Sequence, residues 1–213
     1  MFSESDLETI REAVQRAERR TRGEIVPMVV PASARYREAS HLAGVILALV
    51  ALTVLLIMDY GWGQWQGTGH HPAWMIVGML AAYGMGSVIG RFPTIIRLLT
   101  SDERMVMKVR LRAERAFYEQ GLHKTREGTG ILIFLSLLER RAQILADHAI
   151  DRCVPSGTWE TLVRDLVRGI QAERQTEAFC DVIARCGDLL AIHFPARNGD
   201  NPNELPDELI RET

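Results

Sequence analysis

The sequence predicts an α/β domain with a small mixed sheet, interrupted by a two-helix transmembrane hairpin. Three observations lead there. Two long uncharged runs, Leu42 to Met58 and Ala73 to Gly90, lie in the first half of the 213-residue chain. Strand-like segments stand on either side of them, at Glu24–Val30 and Ile131–Leu138. Amphipathic helical patterns fill both flanks, so the soluble parts must meet as one body. The expected organisation is a split cytoplasmic domain (1–37 and 99–195), a hairpin at 38–98 with spans near 42–58 and 73–92, and a polar tail at 196–213.

The first helix is expected over 5–22. Leu7, Ile10, Ala13, Val14 and Ala17 fall on one face, Ser5 and Glu8 have capping-box spacing, and Gly23 offers a stop. The next segment, EIVPMVV, reads as a strand. Pro27 removes a ladder donor, which places this strand near an edge or at a bulge.

The uncharged runs are 17 and 18 residues long. A helix needs roughly 17–25 apolar residues to cross a hydrocarbon core, and neither run offers water a polar face. Arg35 and Arg37 precede the first run; Arg91, Arg97 and Arg104 follow the second. The loop DYGWGQWQGTGHHP carries no Lys or Arg. The positive-inside rule therefore puts both flanks and both termini in the cytoplasm, in a multi-pass inner-membrane protein. Trp62, Trp65 and Trp74 suit the outer boundary. Gly78, Ala82, Gly86 and Gly90 recur every four residues, a smooth stripe for close packing against the first span or a second copy.

A helix over 101–120 follows, with Val106, Val109, Ala113, Ala116 and Phe117 on one face, Thr100 and Glu103 spaced as a box, and Gly121 after its end. Ile131–Leu138 is too short to cross a membrane. It is followed by Glu139-Arg140-Arg141 and a second apolar segment, Ala142–Ala146, which together read as an antiparallel strand pair. The first of these strands lacks polar alternation and should be central. Two more helices are expected at 158–171 and 175–194, and the tail should be mostly extended.

Composition narrows the function. The formal charge is -2 and the pI about 6.3, which gives no reason to expect nucleic acid. Cys153, Cys180 and Cys186 fit no zinc spacing. No cleavable signal peptide is expected at the acidic start, MFSESD. The chain has no GxSxG, HExxH, Walker or GxGxxG motif. His70 and His71 beside Asp59 offer donors for a metal outside the membrane, but a solvated loop is the favoured reading.

With residues 38–98 set aside, the remainder resembles the TPM domain family, and within it the bacterial membrane subgroup with a transmembrane pair inserted in the domain. The resemblance rests on AVQRAERRTRGEIVPMVV, RAFYEQGLHKTREGTGILIFLSLLERRAQILADHAI and WETLVRDLVRGI, with NELPDE (Asn203–Glu208) in the tail. It implies an α/β/α sandwich. Some members bind calcium, one plant member is reported as a weak acid phosphatase, and others act through partners in membrane complexes. Where the family commonly carries an Asp-Asp pair before Arg at the hairpin turn, this chain has Leu138 and Glu139.

Two function classes follow as expectations. The favoured one is a non-enzymatic module at the cytoplasmic membrane face, holding no cofactor and supporting or modulating a membrane complex through a protein partner or a homo-oligomer. The other is a metal-dependent phosphatase acting at the membrane edge, with calcium held by Glu139, Asp102 and Glu103; its catalytic residues are unknown. Ligands bind beyond the carboxyl ends of parallel strands, so the turn at 139–141 is expected on the sheet edge facing the bilayer. Arg35, Arg37, Arg91, Arg97, Arg140 and Arg141 would then meet lipid headgroups or an acidic partner, each attracted by on the order of 1 kcal/mol.

Overall fold

The computed structural model describes residues 2–66, 72–196 and 204–212, with the side chains of 60–66 and 72 excepted. The chain divides into two units: Met1–Ala34 with Val106–Thr213, and Arg35–Met105.

In the first unit, helix α1 covers Glu4–Glu18. Its cap is Ser3, whose hydroxyl accepts from the Asp6 N–H at 3.2 Å while the Asp6 carboxylate accepts from the Ser3 N–H at 2.7 Å. The expected Ser5–Glu8 box is thus displaced by two residues. Asp at the third helical position performs the reciprocal bond as Glu would. Phe2, just outside the cap, packs edge-on against Phe179 at 5.9 Å, which anchors the earlier start. The helix also ends earlier than expected. Gly23 serves strand entry instead: a Cβ there would lie 2.7 Å from Leu190 Cδ2 and 2.9 Å from the Thr129 carbonyl.

Strands β1 (Glu24–Val30), β2 (Gly130–Ser136), β3 (Arg141–Ala146) and β4 (Ile210–Arg211) form a mixed sheet in the order β3-β2-β1-β4. Strand β1 runs parallel to β2, with Ile25 opposite Ile131, and β2 runs antiparallel to β3, with Ile133 opposite Ile144. Strand β2 is central and buried throughout, as its unbroken apolar run requires.

The tail holds more structure than its polarity suggests. Its strand β4 pairs in parallel with Met28 and Val29 of β1, and Leu209 is buried. The position of Pro27 follows from the ladder. The Glu24 N–H bonds toward β2, so alternate residues 25, 27 and 29 turn their polar groups toward β4. The Val29 carbonyl accepts from the Glu212 N–H there, whereas β4 stops short of Pro27, where no donor is needed.

Alternating strand residues serve opposite faces. Ile25, Val29, Ile131, Ile133, Leu135 and Ile144 cluster with α1, α7 (Thr158–Gln171) and α8 (Gln175–His193). Val26, Met28, Val30, Leu132 and Phe134 cluster with Val109, Ala113, Ala116 and Phe117 of α5 (Asp102–Glu119). Burying such large side chains stabilises the fold by about 1.5–3 kcal/mol each. A one-residue register slip would exchange the two faces and is therefore excluded.

The second unit contains α2 (Arg37–Gln66), α3 (Pro72–Ile89) and α4 (Pro93–Leu99). Within α2, Arg37–Asp59 is long and apolar enough to cross a bilayer, and only 11% of its apolar stretch is buried. Helices α3 and α4 meet at a 102° bend and would provide a second crossing only as a broken pair. Pro93, at the start of α4, ends the preceding helical run. Helices α2 and α3 pack through small residues. A Cβ on Gly86 would meet the Ala43 carbonyl at 2.7 Å, and one on Gly90 would meet Ser40 Cα at 2.6 Å. The Ser40 hydroxyl donates to the Ser87 carbonyl at 2.5 Å, and His41 Nδ1 lies 2.8 Å from the Tyr83 hydroxyl.

Candidate functional site

The two ends of the sheet carry different chemistry. At the carboxyl ends of β1 and β2, the Leu137 and Leu138 N–H groups donate to the Val30 and Pro31 carbonyls and extend the parallel ladder into the turn. Glu139 then folds inward and is only 5% exposed. Its carboxylate accepts from the Ser33 N–H at 3.0 Å and from the Ser136 hydroxyl. The carboxylate thus ties the exit of β1 to the hairpin. Arg140 completes the turn with φ 53°, the left-handed conformation that glycine or asparagine usually provides.

Beside this turn lies a cavity of about 570 Å³ bordered by Leu135, Leu137, Arg140, Val167, Ile170 and Glu173. Its wall is mainly apolar, with one cation and one anion on the rim. Arg140 and Arg141 also border a smaller cleft of about 160 Å³ between Val106 and Val109 on one side and Val163 and Val167 on the other.

The proposed calcium ligands fall differently. Glu139 uses both carboxylate oxygens within the fold. Asp102 and Glu103 are exposed in the first turn of α5, in the other unit. Among the described residues, no group of three or more His, Cys, Asp or Glu is placed to hold a metal. His70 and His71 lie outside the described residues, as do the side chains of Trp62 and Trp65; Trp74 is exposed. Arg35, Arg37, Arg91, Arg104 and Arg140 are exposed, while Arg97 and Arg141 are half-buried. Gly86 and Gly90 face α2 within the same chain, Gly78 approaches Leu55, and Ala82 is buried.

The amino end of β1 holds a cluster that the sequence pattern does not announce. Glu18, at the end of α1, and Glu24, at the start of β1, are both buried. Glu18 Oε1 accepts from the Ile25 N–H at 2.9 Å. Burial pushes the Glu18 carboxyl up to about 9, with further upward pressure from Glu24 and Asp207. Burial likewise raises Glu24, opposed by the N–H groups of Glu204 and Leu205 that it accepts from. The Glu204 N–H lies 3.2 Å from Glu24 Oε1, and Glu24 Oε2 has no hydrogen-bond partner. Gln15 Nε2 donates to Asp207 Oδ2 at 3.0 Å, and Asp207 also hydrogen-bonds Glu18. The legible signal was NELPDE, a motif noted in the tail with no place assigned to it.

No family model matches the chain, and no curated protein matches it. A solved structure that does resemble it is the NMR structure of BA42 protein from the psychrophilic bacterium Bizionia argentinensis. The likeness covers 100% of this chain and 96% of that one, at a TM-score of 0.59 and 16% sequence identity. At that identity the similarity speaks for the fold alone: a mixed α/β arrangement around a small four-stranded sheet.

Proposed function

We propose that this chain is a membrane-anchored, non-enzymatic module of the TPM type, held at the cytoplasmic face of the inner membrane by a two-helix hairpin, where it supports or modulates a membrane complex. The observation that carries the reading is the outward display of apolar side chains. Leu49, Ile57, Val77, Leu80 and Val88 are each more than half exposed. A helix from a soluble core would bury such residues; lipid satisfies them without a protein partner. The insertion of this apolar unit between two paired strands also fits a domain tethered at two points.

The fate of Glu139 favours this function over metal-assisted phosphate hydrolysis. Calcium takes six to eight oxygen ligands, several of them carboxylates. Here the one turn carboxylate is committed to a peptide N–H and a hydroxyl. The exposed arginines Arg35, Arg37, Arg91 and Arg140 supply charge for headgroups or an acidic partner. The α3 stripe packs on α2, so a homo-oligomer would use another surface.

Affinity purification of the full chain from native membranes, after crosslinking, tests the reading. The expected result is carbonate-resistant membrane association and recovery of a stoichiometric partner or a defined homo-oligomer. A crosslinked species that remains monomeric, or release by carbonate, would overturn it. Calcium-dependent phosphatase activity lost in Glu139→Gln would instead establish the alternative.

A further inference from the structure

The segment Glu204–Glu212 is attached to the first unit by side-chain chemistry concentrated at one end. Near its start, the Glu204 N–H rests on the Glu24 carboxylate, and Asp207 lies between Gln15 and Glu18. Leu209 is buried just beyond, and Ile210–Arg211 pairs with the β1 edge. At the far end Glu212 pairs with Arg112. One of these contacts, Glu18 with Asp207, sets a carboxyl group against a carboxyl group. Glu18 and Asp207 attract each other only while one of them carries a proton; two carboxylates at that spacing repel.

We infer that Glu204–Glu212 is a proton-latched strap: Glu18 carries the proton through which Asp207 is held, and loss of that proton releases the strap from the β1 edge. Geometry selects the proton's position. Glu18 Oε1 is used by the Ile25 N–H, and the residue is only 9% exposed. Asp207 is less buried and already accepts from the Gln15 amide at Oδ2. The buried partner is thus the acid and donates; the outer partner is the carboxylate and accepts. The elevation of Glu18 to about 9 agrees with that assignment.

The charged groups around the latch do not supply a substitute. Strand β1 contributes Glu24, and the strap contributes Glu204 and Asp207, all acidic. The loop before β2 contributes Arg126, which engages Glu204, and Glu127, which pairs with Arg22. Helix α5 contributes Arg112, directed at Glu119 and Glu212.

The sign follows from linkage. The strapped form holds Glu18 protonated up to about pH 9. Without Asp207, Glu18 loses both a repelling charge and a hydrogen-bond acceptor, and its affinity for the proton falls. Docking therefore takes up a proton and weakens as pH rises toward 9, by at most tenfold per pH unit for one proton. Strap release would uncover the Met28–Val29 edge, which among the described residues pairs on that side with β4.

Hydrogen exchange of the C-terminal peptide in the full chain, in nanodiscs, tests the latch. Protection is expressed relative to the intrinsic rate at each pH from 6.5 to 9.5. Wild type should lose strap protection by several-fold or more per pH unit toward the upper end, while β2 peptides stay protected. Glu18→Gln keeps a donor but cannot titrate, so its strap protection should not vary with pH. Asp207→Asn, carried on the strap itself, removes the repelling charge and should have a clearly shallower slope than wild type; it tests the idea if Glu18→Gln disturbs α1. A pH-independent strap in wild type, or a wild-type slope in both variants, would overturn the inference.

Discussion

Replacing Glu139 by alanine should destabilise the first unit by roughly 2–4 kcal/mol, because two donors lose their acceptor at once. The Ser136 hydroxyl is fully buried and has no route to water, so its stranding sits toward the upper end of the ~1–3 kcal/mol range for such groups. The Ser33 N–H is part-buried and sits toward the lower end. The Ser33 hydroxyl is itself buried without a partner. Glu139→Gln retains one carbonyl acceptor and should cost about 1 kcal/mol. Native-state hydrogen exchange at Ile131–Phe134, in the full chain in mild detergent, reads the loss directly. Those amides belong to the central strand and open only with the whole unit. A loss for Glu139→Ala below ~0.5 kcal/mol, within the range of ordinary surface changes, would refute the reasoning. So would a Glu139→Gln loss as large as that of Glu139→Ala.

Other consequences can be checked separately. Gly187→Ala would place a Cβ 2.6 Å from Ala17 Cβ, forcing α1 and α8 apart; overpacking of this kind costs about 1–3 kcal/mol in a denaturation midpoint analysis. Gly86→Leu would drive a side chain into the α2 backbone at Ala43 and Gly44, and should abolish crosslinking of paired cysteines placed on α2 and α3. Iodoacetamide at pH 8 should modify exposed Cys153 and spare Cys186, whose buried thiol is pushed up to about 12; mass spectrometry of the folded chain reads the ratio. The contribution of Glu18 to stability should be full below the ordinary Glu range and should fall as pH climbs toward 9, since folding holds the Glu18 proton that the unfolded chain releases. Thermal unfolding across that window, flattened in Glu18→Gln, checks the sign.

Helices 158–171 and 175–194 were legible almost to the residue, because each carries a clean apolar stripe for one sheet face. The parallel pairing of β1 with β2 was legible as well. A helix returning between two strands of one sheet makes a right-handed crossover, which sets the second strand parallel to the first. Strand β4 was hidden because two residues bear no periodicity, and a polar tail gives no apolar pattern to read. The helix α1 cap was displaced because Ser3–Asp6 and Ser5–Glu8 are equivalent as spacing; only Phe2 against Phe179 distinguishes them. The role of Glu139 was read from its position at a turn, where a carboxylate commonly faces outward. Its inward path depends on Ser136 and Ser33, and Ser33 is 106 positions away in sequence. The acidic cluster at Glu18 and Glu24 was illegible for the same reason, since Asp207 reaches it from the opposite end of the chain.

The separation of β1 from its partner has a consequence for biosynthesis. Ser33 and Glu139 are 106 positions apart, and at ~5–20 residues per second a ribosome needs roughly 5–20 s to deliver the second half of that contact. Throughout that interval EIVPMVV is a strand without its β2 partner. Pro27 interrupts the run of donors along that strand and so guards a nascent chain against premature self-association. Proline at this position would then serve the birth of the protein more than its finished state.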